Sequence, residues 1–175
     1  MNLHQEFNEA IQLVKEQFKP TEDCNVFETT IRILGGLLST HHIVASHYNS
    51  DVDGGAHEST SLDLLNAAVD IGSRLLQAFN SPTGVPYSDI NLSTGSIERS
   101  VQHSSMAEAT TLSLEFTLLA RLTGEEAFEQ AAMKVHSVLT PSVDKHEGLL
   151  PQFVSPTDGL CTGDYFMLGA RCDSY

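Results

Sequence analysis

Two charged residues stand one helical turn apart in an otherwise apolar run, and they are the first sign of chemistry in this chain. They are Glu28 and Arg32, within Val26-Phe-Glu-Thr-Thr-Ile-Arg-Ile-Leu-Gly-Gly-Leu-Leu-Ser39. A carboxylate beside a guanidinium can hold a polar ligand or handle a proton. The same spacing also makes an ordinary surface ion pair worth only a few tenths of a kcal/mol. Gly35 and Gly36 favour the first possibility. Each glycine costs a helix about 1 kcal/mol, so something is expected to come close there. Three further sets of polar residues stand out. Glu108 and Glu115 are seven apart on one predicted helix and so share a face. Asp89 and Asn91 lie in a turn-rich run. Arg171 and Asp173 lie in Gly169-Ala-Arg-Cys-Asp-Ser174, where both can face one cavity only if the backbone is not helical.

The elements that must position these groups are mainly helices. Residues 3–18 are predicted as an amphipathic helix with Phe7, Ile11, Val14 and Phe18 on one face, ended by Pro20. Residues 26–46 form the second helix, with Phe27, Ile31, Leu34 and Leu38 as its apolar stripe. Asn49 to Thr60 is a polar, glycine-bearing loop. Residues 61–79 form the third helix, with Leu62, Leu65, Val69, Gly72, Leu76 and Phe79 aligned. Residues 80–103 carry turn chemistry throughout, and long loops in compact domains are often functional. Helices follow at 104–122 and 125–139, broken at Thr123-Gly124. Gly148 to Ser155 is a short extended run, and residues 163–169 are expected to pair with it as a β-hairpin. The fold class is therefore all-α, an array of antiparallel helical hairpins with one short β-hairpin near the C-terminus. An open solenoid fits this pattern as well as a barrel, although no repeat of 34–45 residues is visible.

Bulk properties narrow the partners. The 175 residues suffice for one domain with a core. A net charge of −14 argues against nucleic acid and anionic membranes. It suits a neutral ligand such as sugar. No apolar run approaches the roughly 18 residues of a membrane span, and the N-terminus reads as polar helix, not signal peptide. The three cysteines lack zinc spacing and are expected to be free thiols.

The segment Val26–Ser39 resembles a motif of the class I α-1,2-mannosidases, glycoside hydrolase family 47. Three further segments match in the same order. They are Leu75-Leu-Gln-Ala-Phe-Asn-Ser-Pro-Thr-Gly-Val-Pro-Tyr-Ser-Asp-Ile-Asn-Leu92, Ser104-Ser-Met-Ala-Glu-Ala-Thr-Thr-Leu-Ser-Leu-Glu-Phe116 and Leu168-Gly-Ala-Arg-Cys-Asp-Ser-Tyr175. The resemblance implies a partial (α/α)7 barrel, residues 1–175 being one piece of a catalytic domain that continues beyond both ends. It implies inverting hydrolysis of high-mannose N-glycans in the secretory pathway, endoplasmic reticulum or Golgi. Inverting hydrolysis needs two carboxyl functions about 6.5–9.5 Å apart. By resemblance, Glu28 takes the place of an acid that works through a water, and Asp173 that of the second carboxylate. Either one would give the proton. Arg32, Glu108 and Glu115 would line the barrel and hold sugar hydroxyls. Arg171 is the residue type of the endoplasmic-reticulum members. Asp89 and Asn91 are expected at the cavity end of the array and suit sugar hydroxyls as well. Calcium is the family's cofactor, but its threonine ligand, the general-base glutamate and an upstream Asp-x-Leu-Asp-Thr-Leu motif have no counterpart within this sequence. No metal ligand is therefore expected here, the remainder of the same polypeptide is an expected partner, and the chain alone is expected to be inactive. Two other readings stay open: a non-catalytic glycan-binding module of glycoprotein quality control, and a helical interaction protein.

Overall fold

The computed structural model describes residues 4–17, 23–47, 54–97, 103–145 and 149–163, with residues 166, 169, 172 and 174. Helix α1 (His4–Gln17) turns Ile11 into the core, with Phe7 and Val14 packed beside it. Strand β1 (Asp23–Asn25) leads directly into α2 (Val26–Thr29), which runs through a π-helical turn (Thr30–Leu34) into α3 (Gly35–His47). The expected second helix is thus present, but with one turn overwide. The Thr30 hydroxyl donates back to the Val26 carbonyl at 2.8 Å, and the Gly35 N–H closes the wide turn onto the Thr30 carbonyl. That extra residue rotates the buried face. Val26, Thr30, Leu34 and Leu38 are buried, four apart each time, whereas Ile31 is 38% exposed. The expected stripe through Ile31 assumed an unbroken 3.6-residue period. π turns concentrate at functional sites.

Helix α4 (Gly54–Leu75) packs along α3 and begins within the segment expected to be loop. Propagating an existing helix costs little once one face is packed. His41 also ties α3 to this end of α4, its Nδ1 lying 2.9 Å from both the hydroxyl and the carbonyl oxygen of Ser61. The most deeply buried stripe is Leu64, Ala68, Ile71 and Leu75, one step round from the expected one. Gly72 is the reason. A Cβ there would lie 2.5 Å from Leu119 Cδ2, so the helix approaches its neighbour on its small-residue side.

A 3₁₀ turn (Leu76–Phe79) replaces the last turn of the helix expected over 61–79, and the long loop that follows contains β2 (Asp89–Asn91). It pairs antiparallel with β1, Asp23 opposite Asn91 and Asn25 opposite Asp89. Three-residue strands have too few positions to show a period, so the sequence pattern does not reveal them. Strand β3 (Ser104–Ser105) leads into α5 (Met106–Thr110), and α6 (Ser113–Thr123) follows after a break at Thr111–Leu112. The single helix expected over 104–122 is therefore two. Gly124, at φ 77°, caps α6 with its N–H on the Ala120 carbonyl. Helix α7 is Glu126–Lys145. Strands β4 (Phe153–Val154) and β5 (Cys161–Thr162) form the expected hairpin, and β3 extends it to three strands. Its return strand comes earlier than 163–169. Gly159, at φ 74°, lets the turn close tightly, its N–H on the Ser155 carbonyl.

The core centres on Phe116, between Phe79 at 5.3 Å and Phe128 at 6.0 Å. One side of α6 remains uncovered: Leu114 is 75% exposed, and Leu118 and Leu122 continue the stripe.

Candidate functional site

Both leading glutamates are placed by the same local device. In each case a short strand ends in a capping residue, and the glutamate is the third residue of the helix that follows. The Asn25 side chain accepts the Glu28 N–H at 2.9 Å. The Ser105 hydroxyl accepts the Glu108 N–H at 3.3 Å. A capping residue followed three positions later by glutamate is legible in a sequence. Asn25 and Ser105 are therefore site residues that the pattern offered and the functional reading passed over.

Asn25 does a second job. Its amide donates to Asp89 Oδ1 at 3.5 Å across the β1–β2 ribbon, so one side chain joins the Glu28 helix to Asp89. The other cross-strand pair runs from Asn91 Nδ2 to Asp23 Oδ1 at 2.8 Å. One face of the ribbon thus carries two carboxylates and two amides. On the other face Ile90 is buried. Asn91 also accepts from the Ser93 N–H, the Thr94 N–H and the Thr94 hydroxyl, which folds the turn after β2. Its amide group is engaged on both sides.

Two hollows flank this ribbon. A hollow of about 460 Å³ opens over Asp23, Asn25, Asp89, Asn91 and Ser96. A smaller one of about 160 Å³ is enclosed by Asn25, Ser88, Asp89, His103, Ser105, Glu108 and Phe153. His103 and Phe153 face each other with ring centroids 6.4 Å apart. Mixed carboxylate, amide, hydroxyl and aromatic lining suits a ring bearing hydroxyl groups and one apolar face. No local signal singled out His103 or Phe153, because they meet only when β3 pairs with β4.

The other expected site residues divide. Arg32 pairs with Glu28 through Nε, and both are exposed. Neither borders the two hollows. Arg32 instead edges an apolar groove of about 320 Å³ between α1, α3 and α4. Glu115 sits apart from Glu108 after all, because the break at Thr111–Leu112 turns it towards Gly35. Burial pushes its carboxyl above the ordinary range, partly offset by a hydrogen bond from its own backbone. Its Oε2 is buried with no hydrogen-bond partner among the described residues. Arg171 and Asp173 lie outside the described residues, as does their expected meeting with Glu28. None of Cys24, Cys161 and Cys172 is in a disulfide, and burial raises the Cys24 thiol, which makes it a poor nucleophile. Among the described residues no group of three His, Cys, Asp or Glu side chains could hold a metal ion.

The chain has clear relatives. The model of glycosyl hydrolase family 47 matches residues 1–175. The chain is 41% identical over 180 residues to the human endoplasmic reticulum mannosyl-oligosaccharide 1,2-alpha-mannosidase, covering 100% of this chain and 24% of that protein. It is 40% identical to the mannosyl-oligosaccharide 1,2-alpha-mannosidase of Candida albicans, covering 29% of its length. The chain thus spans about a quarter of the curated relatives it matches. Among solved structures, the alpha-1,2-mannosidase from Trichoderma reesei superposes with a TM-score of 0.81 at 28% identity, over 95% of this chain and 36% of that one. A family model that matches every residue, and a fold that matches a solved member, make this chain a member of glycosyl hydrolase family 47.

Proposed function

We propose that this chain forms one wall of the active site of an inverting α-1,2-mannosidase that trims high-mannose N-glycans in the secretory pathway. The observation that carries the proposal is the linkage through Asn25. It ties the helix of the Glu28–Arg32 pair to Asp89, beside the hollow that Glu108 enters. The human and Candida albicans relatives, both mannosyl-oligosaccharide 1,2-alpha-mannosidases, support the same chemistry.

In this proposal Glu28 delivers a proton to the leaving oxygen, directly or through one water, and general acid catalysis of this kind contributes about 10²–10⁴-fold. Asp173 is the other candidate donor. Arg32 holds the Glu28 carboxylate in one orientation. Asp89 and Glu108 accept hydrogen bonds from sugar hydroxyls, Asn91 offers them its second amide hydrogen, Arg171 donates to them, and Phe153 offers a face to the ring. Glu115 was expected among the sugar-binding acids, but its buried oxygen suits a different role. Calcium, as a hard cation, takes six to eight oxygen ligands. The described residues offer no such cluster.

The test is a chimera of the human endoplasmic reticulum enzyme in which residues 1–175 replace the matching 180-residue segment. Release of mannose from a high-mannose oligosaccharide is expected, with loss of about 10²-fold or more in kcat for Glu28→Gln. A folded chimera that binds the oligosaccharide without cleaving it would replace this proposal with the glycan-binding reading.

A further inference from the structure

A carboxyl group fills the notch at Gly35. A Cβ built there would lie 3.4 Å from Glu115 Oε1, 3.6 Å from Glu115 Cγ and 3.5 Å from the Thr30 carbonyl oxygen. Gly35 has ordinary helical geometry, φ −60° and ψ −39°, so its conformation does not require glycine. The space does. Two oxygens therefore converge on one glycine. One belongs to the carbonyl that closes the π turn, and the other to a carboxyl from the facing helix.

A charged carboxylate in that position would face a carbonyl dipole and lose its water. Its second oxygen, Oε2, is buried with no hydrogen-bond partner among the described residues. Leaving such an atom unpaired is unfavourable, and more so if it is charged. An uncharged carboxyl avoids most of that cost. Burial raises the Glu115 carboxyl, as the first cause, and no charged side chain of the π turn, α3, α4 or α7 contributes to the shift.

We propose that Glu115 is a positioning residue: its carboxyl packs against Gly35 and holds the π-helical turn that sets the direction of the Glu28 helix relative to α3. The lever is geometric. A π turn holds one residue more than an α turn, so losing it would rotate one end of the helix against the other by about 100°. Arg32 lies inside that turn and Glu28 lies before it. Its role in activity rests on the mannosidase proposal, whereas its structural half is measurable without it.

In the 175-residue chain, E115Q keeps the shape and removes the possibility of charge, and E115A removes the wedge. Hydrogen exchange of the amides of residues 31–36 should stay within about threefold of the parent in E115Q and quicken by about tenfold or more in E115A. The Glu115 carboxyl, identified by its loss from the ¹³C spectrum of E115Q, should titrate above its ordinary 4.5. In the chimera, E115Q should keep kcat and KM within about threefold, and E115A should lower kcat by about tenfold with KM unchanged. E115D, which withdraws the same carboxyl by one methylene, should quicken the same amides and serves if E115A fails to fold. Exchange in E115Q as fast as in E115A, or a carboxyl titrating at its ordinary value, overturns the proposal. So does a tenfold rise in KM for E115Q, which would assign the carboxylate to sugar contact. If the parent chimera releases no mannose, the proposed function fails, and exchange and titration still decide the role of Glu115.

Discussion

The hollow beside β2 and the notch at Gly35 use the same side chain in opposite ways. At the hollow, Glu108 follows a strand and a serine cap, and the helix start presents it to open space between His103 and Phe153. At the notch, Glu115 comes two residues after a helix break and closes against the backbone of the facing helix. Strand-to-helix junctions leave a carboxylate solvated and able to reach a ligand. Helix–helix contacts take its water away and make it a packing group. A third place completes the comparison. Gly72 makes a notch as Gly35 does, but Leu119 fills it. One glycine admits a polar wedge and the other an apolar one.

The largest test concerns the junction that carries Glu28. In an active chimera, Glu28→Gln should lower kcat by about 10²–10⁴-fold while leaving the melting midpoint nearly unchanged, since the side chain is exposed. A large loss of stability with little loss of kcat would move Glu28 to the structural side of the comparison.

Next comes the apolar notch. Gly72→Ala places a methyl group 2.5 Å from the buried Leu119 Cδ2, where Phe128 also limits retreat at 3.4 Å. Overpacking of this kind costs about 1–3 kcal/mol, to be read by denaturant unfolding. An unchanged midpoint would show that α4 and α6 are free to separate, and would weaken the contrast with Gly35.

Asn25→Ala removes a helix cap together with the bridge to Asp89. Loss of the cap alone costs about 0.5–2 kcal/mol. Because the bridge also orients Asp89, KM should rise in the chimera along with the lost stability. A stability loss with unchanged KM would separate the cap from the binding face.

The smallest effect is a pH dependence. Glu115 has a raised carboxyl in the folded chain. Its contribution to stability is complete below the ordinary value of 4.5 and is lost as pH rises through the raised value. The parent should therefore lose midpoint relative to E115Q as pH rises from about 4 into the neutral range. A constant difference would show that Glu115 titrates alike in folded and unfolded chains.

Much of this was legible from residue types and spacing. The helix over 26–46 follows from its apolar recurrence, and the turn-rich character of 80–97 from its proline and glycine content. Even the caps at Asn25 and Ser105 stand in the sequence, as polar residues three positions before a glutamate. The π turn does not, because one extra residue inside a helix leaves the composition unchanged and shifts only the face that is buried.

Residue types and spacing suffice for the helical array, its break at Thr123-Gly124 and which acids begin helices, because these depend on interactions within a few residues; the break at Thr111–Leu112 is not among them. The tertiary structure alone decided which acids share a space. Glu108 joins Asp89 and Phe153 because β3 and β4 pair across 47 intervening residues, Ser105 opposite Phe153. Glu115, seven residues on, goes elsewhere because Gly35 on another helix leaves it room. Spacing fixes direction along one element. Only packing between elements fixes whether a carboxyl keeps its water, and with it whether the group binds a ligand or holds a backbone.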